Sequence, residues 1–429
     1  MKVYIHTLGC KVNQYESMAI MDMLIKDGYT RAQGLSDCDI AVLNSCTVTA
    51  SSDAGVRKHL RKFRRERPGA VIVLTGCMPQ AFPEIAAGFP EADVITGTKN
   101  RARISDNIME YLSTKQQVVN IAVYSNDDKF EDLQASGFEG RTRAFLKIED
   151  GCNRFCTYCI IPTARGRVRS KAIEKIIEET MLLSKNGYRE IVLTGINLPA
   201  YGQDIGLGLC DAVEAVCAQN GIDRVRLGSL EPERLTQDVI DRFAAQEKLC
   251  PQFHLSLQSG CDKTLKKMNR HYTSQEYAEI VEDLRSSFAD CAVTTDVMVG
   301  FPGETDEDFE KSLEFVKSIG FAKVHVFAYS KRPGTAAAEY EGQISNAVKE
   351  KRSAAMIEAT EESRREFFKC QIGTTQQVLV ERDRGNGIYA GYTKNYTPVK
   401  LHSGKVLTGN IVDVTIGEEH DDYCFGVIS

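Results

Sequence analysis

Apolar residues in the first third of the chain form short continuous runs that are separated by segments with helical spacing. Residues 3–5, 40–43, 70–74 and 93–95 are the continuous runs. After the first run, Met18, Met21, Leu24 and Ile25 recur on one face of a helix. Non-alternating strands separated by helices indicate a parallel sheet covered on both faces. We therefore predict an α/β, flavodoxin-like domain over residues 1–113.

The same alternation of strands and helices resumes at residue 142 and continues to residue 370. Six apolar runs are candidate strands, at residues 145–148, 190–193, 224–227, 254–257, 295–299 and 323–327. Helical patterns, such as the one over residues 173–185, lie between them. Six consecutive strand-helix units favour a partial (β/α)6 barrel over a closed eightfold barrel.

After Gly373 the pattern changes to short alternating runs. Five such runs in residues 371–429 predict a small antiparallel β-barrel of the OB type. Small barrels with exposed aromatic and basic residues often bind single-stranded RNA. The candidate RNA contacts here are Tyr389, Tyr392, Lys394 and Tyr396. Because the segment carries five Lys and Arg against seven Asp and Glu, its charge does not support that function.

Residues 114–141 have few apolar side chains and many turn-forming residues. This composition predicts a linker between the first two domains. We expect its flexibility to let those domains adjust to one another.

The overall composition is that of a globular protein, with 42% hydrophobic and 26% charged residues. No apolar run is long enough for a signal peptide or a membrane span, so we expect a cytoplasmic protein without a membrane partner. In a reducing compartment its 14 cysteines are thiols or metal ligands. The net charge of −6 argues against a surface covered with nucleic-acid-binding groups. The basic run at residues 57–67 is either an RNA-facing patch or a solvated helix face.

Three cysteines lie in one loop after the first strand of the predicted barrel. Cys152, Cys156 and Cys159, here called the barrel triad, are four and three positions apart. Structural zinc needs four ligands, and no histidine or fourth cysteine lies nearby. A 4Fe–4S cluster on three thiolates keeps one iron free for a small molecule. The spacing favours such a cluster over zinc or an accidental group of buried thiols.

A second group of cysteines follows the first three strands of the chain. Cys10, Cys46 and Cys77, here called the N-terminal triad, each come just after a strand. Because the carboxyl ends of parallel strands share one edge of a sheet, we expect these thiols to converge. A second cluster with an open iron is one interpretation, and three unrelated buried thiols is the other. The remaining cysteines lack ligand spacing: Cys38, Cys210, Cys217, Cys250, Cys261, Cys291, Cys370 and Cys424.

These motifs resemble those of radical S-adenosylmethionine (SAM) enzymes, and more narrowly of the methylthiotransferases. Residues 152–170 resemble the cysteine-loop signature, with Tyr158 just before the last cysteine. Residues 7–17, 44–48 and 75–80 are similar to the N-terminal domain of that family, and the C-terminal segment resembles its RNA-binding TRAM domain. The resemblance covers nearly the whole chain in the same order.

The resemblance implies two 4Fe–4S clusters, with SAM on the open iron of the barrel cluster and the auxiliary cluster handling sulfur. All six triad cysteines would then be catalytic as well as metal ligands. Candidate SAM contacts, mostly near the ends of the barrel strands, are Tyr158, Gly195, Asn197, Ser229, Glu231, Gln258 and Asp296. The implied partners are the anticodon stem-loop of tRNA and a low-potential electron donor such as flavodoxin or ferredoxin.

The substrate is inferred from a short motif. Residues 9–13, Gly-Cys-Lys-Val-Asn, resemble the branch that forms 2-methylthio-N6-threonylcarbamoyladenosine next to the anticodon. Other branches act on N6-isopentenyladenosine in tRNA or on an aspartate of a ribosomal protein. A hypothesis of another class is a non-catalytic iron–sulfur protein that binds RNA or transfers electrons.

Overall fold

The computed structural model describes residues 1–429 and begins with a six-stranded sheet. Its strands are β1 (Lys2–Thr7), β2 (Thr30–Arg31), β3 (Ile40–Ser45), β4 (Val71–Gly76), β5 (Val94–Thr96) and β6 (Val118–Asn120). All neighbours are parallel, in the order β2-β1-β3-β4-β5-β6, which confirms the predicted parallel sheet. Since β6 lies beyond residue 113, the sheet includes residues that the sequence assigns to the linker.

Helices cover both faces of this sheet. They are α1 (Lys11–Lys26), α2 (Ala50–Glu66), α3 (Cys77–Ala81), α4 (Pro83–Ala87) and α5 (Ile104–Thr114). Val42 and Val73 belong to one apolar cluster, whereas the adjacent Leu43 and Leu74 belong to another. Successive side chains of a strand point to opposite faces, so the continuous apolar runs fill two cores.

Residues 121–142 contain no helix or strand, but they are held in place. Ala135 and Phe138 are buried in the core of the central domain. The carboxylate of Glu131 accepts hydrogen bonds from Arg101 and from the backbone N–H of Ala102. The segment that the sequence assigns to a linker therefore contacts both domains, through Glu131 on the N-terminal side and through Ala135 and Phe138 on the central side.

The central domain contains seven parallel strand segments. These are β7 (Arg143–Lys147), β10 (Glu190–Thr194), β11 (Arg224–Leu227), β12 (Ser229–Leu230), β13 (Gln252–Leu255), β14 (Ala292–Val299) and β15 (Lys323–Ala328); a small hairpin, β8 (Glu149–Asp150) and β9 (Arg169–Ser170), follows β7. Their order is β7-β10-β11 and β12-β13-β14-β15, and only Gly228 separates β11 from β12. The predicted partial barrel is confirmed, with its open side between β7 and β15.

Eight helices belong to this domain. They are α6 (Ile161–Arg165), α7 (Ile173–Lys185), α8 (Leu209–Cys217), α9 (Gln237–Ala244), α10 (Asp262–Lys267), α11 (Ser274–Ser287), α12 (Asp306–Ile319) and α13 (Asn346–Lys369). A core of 46 buried residues lies mainly between these helices and the strands. None of the helices in the structure is both long and apolar enough to pass through a membrane.

The C-terminal domain is a closed barrel of five strands. They are β16 (Thr375–Asp383), β17 (Ile388–Thr393), β18 (Pro398–His402), β19 (Ile411–Glu419) and β20 (Cys424–Ile428). The order around the barrel is β16-β17-β18-β20-β19. Four of the pairings are antiparallel, and β18 pairs in parallel with β20 to close the barrel.

The N-terminal domain packs over the open side of the partial barrel. Helix α1 lies against β7 at one edge. Beyond the other edge, the buried Arg332 donates hydrogen bonds to Thr47 at 2.8 Å and to Asp53 at 2.6 Å. The loops that follow β1 and β3 are thereby directed toward the barrel.

Candidate active site

The barrel triad occupies the loop between β8 and α6. All three cysteines are half-buried. Gly151, at φ +89°, starts the loop, and a Cβ there would collide with the Arg167 carbonyl. Phe155 also takes a left-handed conformation, with φ 51°. This tight winding brings three side chains that are close in sequence around one space.

Hydrogen-bond donors approach the sulfur atoms of the barrel triad. The Arg270 guanidinium lies 3.4 Å from the Cys156 Sγ, and the backbone N–H of Arg154 lies 3.4 Å from the Cys152 Sγ. Burial raises the pKa values of the Cys152 and Cys159 thiols to about 12. Thiolates in this loop therefore need a cation or metal, and the donors are placed to stabilise them.

The N-terminal triad is assembled from three separate strand ends, as the sequence predicts. A Cβ at Gly9 would lie 2.8 Å from the Cys46 Cβ and 3.2 Å from its Sγ, so the β1 loop passes directly over Cys46. Cys77 is the first residue of α3, and Cys10 and Cys46 are close enough to raise its pKa further. Burial is the main cause that brings the pKa of Cys77 to about 12.

Neither cysteine triad is as compact as a single-ion site. A tetrahedral zinc with Zn–S bonds of about 2.3 Å places its sulfur ligands about 3.8 Å apart. The group of three metal-binding side chains whose ligand atoms all lie within 4.8 Å is His254, Asp296 and His325, and neither cysteine triad is that compact. Each triad offers three thiols, one fewer than the four ligands of a structural zinc.

Arg165 connects the two triads. It is fully buried, six positions after Cys159, at the end of α6. Its Nε donates to the Cys77 Sγ at 3.3 Å, and its two Nη atoms contact Glu16 at 2.5 and 3.0 Å. Asn13 accepts a further hydrogen bond at 2.7 Å. The sequence analysis assigned no role to Arg165, because its partners are far away along the chain.

Glu16 is the centre of this buried network. Burial by itself would raise the pKa of its carboxyl, but Arg101, Arg165 and Lys147 outweigh that effect and lower it to about 2. Lys147 donates to Glu16 and to Asp150, both at 2.6 Å. The network joins α1 to the barrel loop and fixes the position of one triad relative to the other.

Several of the predicted SAM contacts lie beside the barrel triad. The Asn197 side chain is 3.7 Å from the Cys152 Sγ, and Glu231 pairs with Arg270. Ser229 is exposed on β12, and Tyr158 packs against the Phe301 ring. These residues share the carboxyl-end face of the barrel with the cysteine loop.

The other three predicted contacts have mainly backbone or strand roles in the structure. A Cβ at Gly195 would lie 2.6 Å from the Glu149 carboxylate. Gln258 is bonded through its backbone to β14, at Asp296 and Met298. Asp296 pairs with His254 at 3.3 Å inside the barrel.

Glu149 is a polar group that the sequence analysis missed. Burial raises the pKa of its carboxyl to about 8, although the backbone N–H of Asn197 donates to its Oε2 at 2.7 Å. Its Oε1 and the Asn197 Oδ1 are buried without any hydrogen-bond partner. Buried polar atoms are normally satisfied, so these two indicate space for a polar ligand next to Cys152.

The barrel lumen, the space enclosed by the inner faces of β7 and β10–β15, is lined by a connected chain of polar residues. Core residues such as Ile191 and Phe253 face the helices, so the alternate positions face inward. Hydrogen bonds or ion pairs join each inward residue to the next in this order: Arg143, Glu190, Arg226, Gln252, Thr294, His254 and Asp296. A polar ligand can therefore be bound inside this barrel.

Lys11 is the first residue of α1, the helix that packs against β7. It follows Cys10 at the start of α1 and is solvent-accessible. Desolvation, and then the charges of Arg143 and Arg226, lower the pKa of Lys11 to about 8. Its charge also acts on His325, on the opposite edge strand.

The C-terminal barrel contacts the amino ends of the barrel strands. Arg226 donates to the Lys394 carbonyl at 2.9 Å and lies against the Tyr396 ring, which stacks on Tyr392. Tyr389 is buried in the C-terminal core. The expected RNA-stacking role is therefore wrong for Tyr389, and Tyr392 and Tyr396 are engaged by arginines of the central domain.

A groove lies between the central and C-terminal domains. Its basic and aromatic lining includes Arg141, Arg143, Arg382, Arg384, Lys400, Tyr392, Tyr396 and Tyr423. Arg382 and Arg384 are exposed, and Lys400 lies over the Tyr423 ring at 3.3 Å. The C-terminal domain has a slight excess of acidic residues, but the lining of this groove carries more cations than carboxylates.

Comparisons with known proteins agree with this geometry. The model of the Radical SAM superfamily matches residues 146–316, and that of Uncharacterized protein family UPF0004 matches residues 2–97. Each match includes one complete cysteine triad. The radical SAM resemblance inferred from the cysteine loop is therefore confirmed.

Curated relatives extend over almost the whole chain. A threonylcarbamoyladenosine tRNA methylthiotransferase MtaB of Bacillus subtilis is 36% identical over 96% of this chain and 93% of its own length. One of Thermotoga maritima is 39% identical over 94% and 92%. A tRNA-2-methylthio-N(6)-dimethylallyladenosine synthase of Pelotomaculum thermopropionicum is 36% identical over 100% and 98%.

A solved structure supports the fold independently. The radical S-adenosylmethionine methyltransferase TsrM of Kitasatospora setae aligns with a TM-score of 0.58 over 79% of this chain and 77% of that chain. At 13% sequence identity this likeness describes the fold alone.

Proposed function

This chain belongs to the radical SAM methylthiotransferases, and from that premise we propose that it adds a methylthio group to C2 of N6-threonylcarbamoyladenosine next to the anticodon of tRNA. The observation that carries the proposal is that Arg165, on the helix that follows the barrel triad, donates to Cys77 of the N-terminal triad and to Asp150 of the barrel loop. Relatives named for this reaction are 36% and 39% identical over more than nine-tenths of the chain.

The family uses SAM and a 4Fe–4S cluster, and we assign that cluster to the barrel triad. A second 4Fe–4S cluster is proposed on the N-terminal triad. When bound, these groups supply a 5′-deoxyadenosyl radical that removes the C2 hydrogen, a sulfur atom for the same carbon, and a methyl group from a second SAM. Two cysteine sites are required because hydrogen abstraction and sulfur donation need different metal centres.

The protein's own residues bind and orient these groups. The unpartnered Glu149 and Asn197 oxygens are available to a polar SAM group beside Cys152. Arg270 holds Glu231 next to Cys156, where the pair can bind the charged amino-acid part of SAM. The buried network around Glu16 joins Cys77 of the N-terminal triad to Asp150 of the barrel loop through Arg165.

The groove between the central and C-terminal domains is the proposed tRNA contact. Its exposed arginines, Arg382 and Arg384, can contact phosphates, and the Tyr423 ring lies beside them. We further propose that the enzyme acts in the cytoplasm. A low-potential donor such as flavodoxin or ferredoxin would reduce the barrel cluster.

A second substrate has one observation in its favour. The relative named tRNA-2-methylthio-N(6)-dimethylallyladenosine synthase matches all of this chain at 36% identity, as closely as one of the threonylcarbamoyl relatives. Overall identity therefore does not separate the two substrates.

Mass spectrometry of tRNA nucleosides tests the proposal. A strain without this protein should lose 2-methylthio-N6-threonylcarbamoyladenosine and regain it when the wild-type gene is restored. If only the dimethylallyl derivative changed, the family would stand and the substrate assignment would be wrong.

A further inference from the structure

The cysteine loop of the barrel triad presents an aromatic ring to solvent. Phe155 lies between Cys152 and Cys156 and is 47% exposed. Its backbone is left-handed, at φ 51°, a conformation that bulky residues rarely adopt. Such strain persists mainly at functional sites. Because burial of the ring does not compensate the strain, the exposed ring points to a role at the surface.

Arg167 lies over this ring. Its guanidinium carbon is 4.6 Å from the centre of the Phe155 ring. Arg167 is exposed, and its side chain forms no ion pair with any carboxylate. Aromatic residues and arginine are the residue types most enriched in protein interfaces. The pair therefore offers an unpaired cation on an apolar platform.

An open pocket connects this pair to the barrel triad. Its volume is about 420 Å³, and its lining includes Cys156 and Cys159 as well as Phe155 and Arg167. Arg167 is the one charged residue of the lining. Two ligands of the proposed barrel cluster are thus reached from solvent beside a cation and away from any carboxylate.

The rim of the pocket is also mainly cationic. Lys266 and Lys267 are exposed in the last turn of α10. The Lys267 carbonyl accepts a hydrogen bond from the Thr157 hydroxyl of the cysteine loop at 2.9 Å, which places this end of α10 beside the loop. Asp127 is the one exposed carboxylate next to a lining residue in the sequence. A partner with negative charge fits this surface better than a basic one.

The pocket and the proposed tRNA groove lie at opposite ends of the partial barrel. The cysteine loop follows the carboxyl end of β7, whereas the C-terminal domain contacts Arg224 and Arg226 near the amino end of β11. A macromolecule at the pocket and a tRNA in the groove can therefore be bound at the same time. This separation favours a protein partner over RNA at the pocket.

We propose that the pocket beside Phe155 and Arg167 is the docking site of a small acidic electron-transfer protein, which reduces the cluster on the barrel triad. This inference rests on the proposed function and assigns a surface to its electron donor. One electron leaves the donor and enters the cluster, and no bond is formed or broken. Electron transfer needs a short path between the two redox centres, and Cys156 and Cys159 line the pocket itself. Small, charge-complementary contacts are typical of electron-transfer complexes.

Two reductants of the anaerobically purified protein test the inference. Reduced flavodoxin, an acidic protein, needs a docking surface, whereas dithionite is a small ion that needs none. In stopped-flow measurements, Arg167→Glu should slow reduction of the barrel cluster by flavodoxin by about tenfold, because it opposes an acidic partner. Reduction by dithionite should change by about twofold or less, since a single exposed charge has a weak effect. Arg167→Lys, which keeps the charge, should keep most of the flavodoxin rate.

Arg57→Glu is the matched control, because it makes the same change in net charge at an exposed arginine of α2. This variant should be reduced by flavodoxin at the wild-type rate. The iron content of Arg167→Glu should equal that of the wild type, which separates lost docking from lost cluster.

Hydrogen–deuterium exchange provides a readout that does not depend on activity. Oxidised flavodoxin should protect residues 153–157 and 266–269 of the wild type, and this protection should be lost in Arg167→Glu. Protection of α2 instead would overturn the proposed docking site.

The other outcomes separate the docking site from the function on which it rests. If dithionite supports SAM cleavage but flavodoxin reduces wild type and Arg167→Glu equally, or reduces neither, the docking site is wrong and the proposed function stands. If Arg167→Glu weakens tRNA binding and leaves the flavodoxin rate unchanged, the pocket is an RNA contact and the inference is overturned. A wild type that cleaves no SAM with dithionite would overturn the proposed function, and the docking site would then stand or fall on the exchange pattern.

Discussion

The two cysteine triads are built in opposite ways. The barrel triad comes from eight consecutive residues of one loop, and its cysteines are half-buried. The N-terminal triad comes from three strand ends that are brought together only when the parallel sheet forms. All ligands of the barrel triad are supplied by one short segment, whereas the N-terminal triad forms only when its domain is folded.

Both triads nevertheless contain the same type of hydrogen bond, from an arginine to a cysteine sulfur. One arginine donates to one cysteine sulfur in each, Arg270 to Cys156 and Arg165 to Cys77. Arg270 is paired with the half-buried Glu231, whereas Arg165 belongs to the fully buried Glu16 network. Because an arginine donates to one sulfur atom in each triad, we expect both arginines to stabilise negative charge on sulfur. Because the Glu16 network is buried more deeply than the Glu231 pair, we expect it to contribute more to the stability of the fold.

The largest expected effects come from removing one cysteine of each triad. Cys156→Ala should abolish SAM cleavage and product formation. Cys46→Ala should leave SAM cleavage measurable and abolish thiomethylation, because only the sulfur-donating site is lost. Release of 5′-deoxyadenosine and the modified nucleoside are measured in the same reactions. Thiomethylated product from Cys46→Ala would contradict the division of roles.

Glu16→Gln tests the structural importance of the network. Removing this charge leaves Arg165, Arg101 and Lys147 short of a buried partner, which should cost about 3–5 kcal/mol of unfolding free energy. Glu231→Gln should cost less, about 1–3 kcal/mol, because its pair is half-buried. Urea unfolding of both variants measures the difference. An equal loss of unfolding free energy in the two variants would contradict the conclusion that the more deeply buried Glu16 network contributes more to stability.

The same carboxyl predicts a dependence of stability on pH. The pKa of Glu16 falls from its usual 4.5 to about 2 on folding. Its stabilising contribution is therefore complete above about pH 4.5 and is lost as the pH falls toward 2. The difference in stability between wild type and Glu16→Gln should shrink over that range in acid titrations followed by circular dichroism.

Arg165→Gln and Arg270→Gln compare the two sulfur donors. Loss of a cationic hydrogen-bond donor disfavours the more negative, reduced state of a cluster, so each variant should lower the reduction potential of its own cluster. Redox titration followed by electron paramagnetic resonance measures both clusters separately. A shift of both potentials by one substitution would show that the two sites are not independent.

We expect substitutions in the groove between the central and C-terminal domains to have the smallest effect on the two triads. Arg382→Ala and Arg384→Ala should weaken tRNA binding, and each should reduce the slope of the salt dependence by about one unit if its guanidinium neutralises one phosphate. Iron content and both clusters should stay unchanged. Arg57→Ala on the basic face of α2 is the control, and an equal loss of affinity there would move the proposed RNA surface to that helix.

The sequence alone predicted the three folds, because the first two domains share the alternation of strands and helices, interrupted by a linker, and the C-terminal segment changes to short alternating strands. Each of the strands β1, β3 and β4 also ends near a cysteine. It could not identify Arg165 as a partner of Cys77, since 88 positions separate them. It also placed Tyr389 on a surface, although alternation in a closed barrel directs that ring into the core. The contact of Tyr392 with Arg143 of the central domain depends on how the two domains pack, which no local sequence pattern predicts.

We propose that each triad holds its own 4Fe–4S cluster. Native mass spectrometry of the anaerobically purified protein tests it directly, with the wild type and two variants in which all three cysteines of one triad are alanine. With one cluster on each triad, the wild type should contain about eight iron atoms and each variant about four. A wild type with about four, or an N-terminal variant that keeps about eight, would contradict it.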